Sequence, residues 1–121
     1  MPKIYLADSF KKDVKSRREL LKKIIREIEK FFRGSNNLVD LYSPAEDLKV
    51  LKAYLDSGKI RVAILLRVSK DIYIPFCIVK KESKIGWNLS KHSENILINK
   101  IIKVQRDIEN KEYEEINIHP F

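Results

Sequence analysis

Three glycines, two histidines and one cysteine in 121 residues leave little material for several kinds of chemistry. Gly34, Gly58 and Gly86 stand far apart, so no glycine-rich loop is available to cradle a phosphate. His92 and His119 show neither HExxH nor any paired-ligand spacing, which argues against metal-dependent hydrolysis and leaves both as surface residues. Cys77 lies in the apolar run IPFCIV without a second cysteine, so disulfide and zinc frameworks drop out and a buried, inert thiol is expected. No G-x-S-x-G elbow is present. The apolar runs fall short of the ~18 residues of a membrane span, and the opening MPKIYLADSFKKDVK carries acids without a continuous apolar core. These absences predict a cytoplasmic protein with no membrane partner, no metal and no small-molecule cofactor.

What is present is positive charge. Twenty-five Lys and Arg against 17 Asp and Glu give a formal charge of +8, which favours a polyanionic partner: RNA, DNA or an acidic protein. The length suits one domain over residues 1–121, built around one core.

Lys3 to Leu6 reads as a short strand. Ser16 and Glu19 fit a capping box ahead of a helix whose apolar stripe is Leu20, Leu21, Ile24, Ile25, Ile28, Phe31 and Phe32, with Gly34 ending it at C′. The polar segment from Ser35 to Asp47, with Pro44, reads as a loop. Leu48 to Leu55 satisfies both helical and extended patterns and is assigned as a strand. Turns at Asp56-Ser57-Gly58 and Ser69-Lys70-Asp71 then separate it from Ile60 to Val68 and Ile72 to Val79, two strands rich in β-branched residues. Pro75 cannot donate a ladder hydrogen bond, so its strand is expected to be an edge there or to carry a bulge. A second helix is expected from about Ser93 to Asn110 on the stripe Leu97, Ile101, Val104 and Ile108, followed by a loose strand or a disordered tail. The predicted fold is α+β: an N-terminal helix packed on a three- to four-stranded antiparallel meander, with an additional C-terminal helix and one sheet face partly open.

Strand alternation puts Lys52 and Tyr54 on one face, and the hairpin over Ser57-Gly58 carries Arg61 to them. The next hairpin returns Lys80 and Lys81 to the same end. Lys52, Arg61 and Lys81 then form a candidate ring around a phosphate, with Trp87 offering a surface for a base to stack on. The competing reading is that lysines after a strand are solvated and a lone tryptophan belongs to the core. Arg67, Lys80, Lys84 and the basic helix face of Arg17, Arg18, Lys22, Lys23 and Arg26 read more simply as solvent-facing charge.

The stretch LKAYLDSGKIRVAILLRVSKDIYIPFCIVKKESKIGW resembles the β-meander of the RelE/ParE toxin superfamily, and most of all that of RelE-type messenger-RNA interferases. The likeness rests on the lysine-bearing strand, the short Ser/Gly turn, Arg61 opening the next strand, the apolar strand, and the pair Lys80-Lys81 followed by Trp87. Ser9-Phe10-Lys11-Lys12 before a long helix resembles the family's opening. The resemblance covers about residues 3–89; the helix of about 93–110 extends beyond that core.

The resemblance implies a toxin of a type II toxin–antitoxin pair that cleaves messenger RNA in the ribosomal A site by attack of a 2′-hydroxyl. Its expected partners are a cognate antitoxin, the ribosome and messenger RNA. It implies Lys52 as general base, Arg61 as phosphate holder and Lys81 on the leaving side or as acid, with Tyr54, Lys80, Lys84 and Trp87 binding substrate. Tyr54 stands where the family often has a second lysine, Lys81 replaces a frequent arginine, and Trp87 a usual tyrosine. Two alternatives stay open: a ParE-like toxin that poisons DNA gyrase, and a non-catalytic domain that binds RNA or the ribosome.

Overall fold

A computed structural model describes residues 2–14, 17–80 and 91–118, with backbone alone at 79–80 and 91–94. In chain order the elements are β1 (Lys3–Ala7), α1 (Asp8–Asp13), α2 (Arg18–Phe32), β2 (Leu38–Ala45), β3 (Leu48–Leu55), β4 (Ile60–Arg67), β5 (Ile72–Lys80), α3 (Lys91–Glu109) and β6 (Tyr113–Asn117). The architecture is α+β, and the strands form one six-stranded mixed sheet in the order β2-β3-β4-β5-β1-β6.

The meander over β3, β4 and β5 is antiparallel, as expected from its two short turns. The sheet is nevertheless larger than the three or four strands predicted. The segment read as a loop is largely β2, an edge strand paired antiparallel with β3. Its sole buried residue is Leu38, and its register shifts between Asp40 and Tyr42 and again before Ala45, so it has no apolar alternation to betray it. Such interruptions are a usual way to blunt an exposed sheet edge. At the other side β1 pairs parallel with β5 and antiparallel with β6, which makes the acidic tail a second edge strand.

The bulge expected near Pro75 is found one residue on. Ala63 faces Cys77 but Ile64 faces Pro75, so Phe76 is the extra residue on β5. β5 is an interior strand, yet β1 pairs with it only at Ile72 and Tyr73, so the missing N–H of Pro75 falls beyond that ladder. Phe76 is 1% exposed.

Helix α2 buries Leu20, Ile24 and Ile28, the centre of its predicted stripe. Its N-cap is Arg17, without a side-chain hydrogen bond, rather than a serine of a capping box; Ser16 lies outside the described residues. Its other end closes as expected. Gly34 has φ +103°, its N–H donates to the Phe31 carbonyl at 3.0 Å, and the Ser35 N–H donates to the Lys30 carbonyl at 3.0 Å, the paired bonds of a Schellman motif. Asn37 then ties the chain back, its Nδ2 donating to the Glu27 carbonyl at 2.7 Å.

The two long helices lie on opposite faces. Phe31 of α2 meets the Tyr73 ring edge-on at 6.3 Å, whereas Ile72, the preceding residue, lines a hollow with Ile108 of α3. Helix α3 packs on β5, β1 and α1 through Leu97, Ile101 and Val104. It is pinned to α1 by the Ser9 N–H donating to the Asp107 carboxylate at 2.8 Å and by the Lys100–Asp13 ion pair at 3.3 Å. No helix among the described residues is long and apolar enough to cross a membrane.

Candidate functional site

The face carrying α3 also carries Lys52, Tyr54 and Arg61. In the β3–β4 ladder Tyr54 is directly opposite Arg61 and Lys52 opposite Ala63, so alternation turns all three to the same side. Helix α3 packs over β5 and β1, while Tyr54 on β3 stays 43% exposed and Val39 on β2, opposite Lys52, 44% exposed. The site is therefore the open part of a face that is covered elsewhere.

The three side chains meet. Lys52 Nζ lies 4.7 Å from the Tyr54 ring centroid, and the Arg61 guanidinium carbon 5.5 Å from the same centroid. Both distances are within cation–π range, worth about 0.5–1 kcal/mol each at an exposed site. An exposed aromatic ring attended by two cations presents a flat surface for a base and positive charge for the neighbouring phosphates. Arg61 is half-buried, and its Nε is buried without a hydrogen-bond partner among the described residues. A buried N–H donor left unmatched costs about 1–3 kcal/mol, and an anionic acceptor brought to this patch could offset it.

The backbone at the mouth of the site is strained. In the β3–β4 turn Asp56 and Ser57 take positive φ, +49° and +57°, ahead of Gly58 at +87°. Three left-handed residues in succession reverse the chain tightly enough to pair Leu55 with Ile60 and so set the Tyr54–Arg61 register. The Asp56 carboxylate is turned to the other helix, accepting a hydrogen bond from Lys23 of α2 at 2.6 Å.

The remaining predicted residues divide into two groups. Lys80 ends β5 with its backbone opposite Ile60, so the second hairpin does return the chain to the Arg61 end. Lys81, Lys84 and Trp87 lie outside the described residues, as does the whole of 81–90. Cys77 is buried, as predicted, and burial pushes its thiol above the ordinary value. No group of three or more metal-ligating side chains occurs among the described residues.

Both Tyr54 and Trp87 are expected to bind substrate; Trp87 lies outside the described residues, and Tyr54 is a ring that Lys52 and Arg61 both engage. The signal was available in the turn length, because four residues between Leu55 and Ile60 fix which residues face each other.

No family model, curated protein or solved structure matches this chain.

Proposed function

We propose that the protein is a ribosome-dependent endoribonuclease of the toxin type, cleaving messenger RNA in the A site and restrained by a cognate antitoxin in the cytoplasm. The observation that carries this reading is the convergence of Lys52, Tyr54 and Arg61 on one open patch of the sheet. The resemblance of the meander to RelE-type interferases supplies the reaction.

In that reaction the 2′-oxygen of one nucleotide bonds to the adjacent phosphorus as the bond from phosphorus to the 5′-oxygen breaks. The products are a 2′,3′-cyclic phosphate and a 5′-hydroxyl. Lys52 takes the 2′-hydroxyl proton as general base. Arg61 holds the phosphate through donors that strengthen as charge develops on its oxygens, and Tyr54 stacks on a flanking base to keep the strand bent. Lys81 protonates the departing 5′-oxygen, while Lys80, Lys84 and Trp87 hold the strand beyond it.

A second reading, a ParE-like toxin that poisons DNA gyrase, is favoured by Tyr54 standing where the resembled family often has a second lysine. Expression of the wild type, Lys52→Ala and Arg61→Ala in growing cells separates the two. The nuclease reading expects growth arrest by the wild type, relief by either variant at equal soluble level, and RNA fragments ending in cyclic phosphate. Arrest with intact messenger RNA and inhibited supercoiling would instead indicate a gyrase poison.

A further inference from the structure

At the other end of β4, away from Arg61, the chain builds a second basic hollow that the proposed reaction does not use. It has a volume of about 600 Å³ and is lined by Lys3 of β1, Arg67 at the end of β4, Lys70 and Asp71 of the following turn, and Tyr5 and Tyr113 from β1 and β6. That size is within the ~300–1,000 Å³ of small-ligand sites.

Three features give the hollow a definite chemistry. Its cations come from two segments far apart in the chain, Lys3 from β1 and Arg67 with Lys70 from the end of β4 and its turn. Of the acids nearby, Glu115 pairs with Lys3 at 3.2 Å, the Asp47 carboxylate accepts hydrogen bonds from the Ser69 N–H at 2.8 Å and the Ser69 hydroxyl at 2.6 Å and feels the charges of Arg67 and Lys70, and Asp71 stands in the lining itself. Arg67 and Lys70 form no ion pair among the described residues. Beside these cations Tyr5 and Tyr113 pack ring against ring, with centroids 4.5 Å apart and planes tilted by 31°. Burial and the neighbouring Tyr113 raise the Tyr5 phenol above its ordinary value.

We infer that this hollow binds a nucleoside phosphate, with Arg67 and Lys70 on the phosphate and the Tyr5–Tyr113 pair against the base. The ligand is either a free nucleotide or one unit of an RNA strand; the recognition chemistry is the same. The inference is independent of the nuclease reading, because Arg61 and Arg67 sit at opposite ends of β4 and pair with opposite ends of β3.

Calorimetric titration in an Arg61→Ala background keeps the two sites apart. The probes are adenosine 5′-monophosphate, inorganic phosphate and a tri-adenylate RNA. The expected result is saturable binding of the monophosphate, binding of inorganic phosphate at least about 5-fold weaker for want of a stacked base, and a loss of about 5-fold or more on adding Lys70→Ala or Arg67→Gln. Lys70 is exposed, so its variant guards against a folding artefact, which a thermal melt checks. Tighter binding of the trinucleotide would assign the site to an RNA strand, and equal or weaker binding to a free nucleotide. Absence of binding, equal affinity for inorganic phosphate, or affinity unchanged in both added variants would overturn the inference.

Discussion

Tyr54 and Arg61 face each other across the β3–β4 ladder, with the guanidinium carbon 5.5 Å from the ring centroid. The backbone register alone sets an exposed aromatic ring beside a cation, so neither side chain has to be carried on a loop.

Tyr54→Ala is expected to weaken single-stranded RNA binding by roughly 5- to 150-fold, the equivalent of the ~1–3 kcal/mol that base stacking contributes. Because the ring is exposed, the fold should lose less than about 1–2 kcal/mol, the sum of two surface cation–π contacts. Tyr54→Phe keeps the ring and should bind nearly as the wild type does. Fluorescence anisotropy with a labelled oligonucleotide, beside denaturant melts, measures both. A Phe variant as weak as the Ala variant would shift the role from the ring to the hydroxyl.

Arg61→Ala is expected to lower RNA affinity and to reduce the slope of log K against log salt by about one, the signature of one lost phosphate contact. Its stability should change little, because the substitution also removes the buried Nε donor that has no partner among the described residues. Affinities measured over a salt series show the change in slope. An unchanged slope would mean that Arg61 does not meet a phosphate.

The turn that ends β4 carries a pH-dependent tie. Hydrogen bonds from the Ser69 hydroxyl and N–H, with the charges of Arg67 and Lys70, hold the Asp47 carboxyl below its ordinary value of 3.8. A carboxyl depressed in the folded state contributes stability that is present above its unfolded value and lost as pH falls through the folded one. Ser69→Ala should therefore melt below the wild type at neutral pH, and the gap should close as pH drops below 3.8. Thermal melts across that range test the sign, and a gap that widens toward acid would contradict it.

Phe76, the extra residue of the β5 bulge, is 1% exposed, and Phe76→Ala should cost about 3–5 kcal/mol through lost burial and the cavity left behind. Chemical denaturation measures it. A cost below about 1 kcal/mol would mean that the bulge collapses without the ring.

The parts of the fold legible in the sequence are those whose burial leaves a pattern. The α2 stripe repeats with the helical period and its buried members are Leu20, Ile24 and Ile28, while β4 is buried from Val62 to Leu66 and reads as a continuous apolar run. Strand β3 was ambiguous because residues on both its faces are buried, Val50 on one and Leu51, Ala53 and Leu55 on the other, which erases the alternation. The edge strands were hidden for the opposite reason: β2 buries only Leu38, and β6 is half-buried at Tyr113 and Ile116 alone. Their pairing is decided by β3 and β1, not by their own composition.

The candidate site followed the same division. Lys52, Tyr54 and Arg61 could be brought together on paper because one short hairpin fixes their register. The second hollow could not, since Lys3 and Tyr113 reach it only through the pairing of the chain's two ends.

Primer extension on messenger RNA incubated with translating ribosomes, wild type beside Arg61→Ala, tests the central claim most directly. Discrete A-site cuts that disappear in the folded variant are the expected result. A folded, antitoxin-free wild type that leaves the message intact, or a variant that cuts equally well, would contradict it.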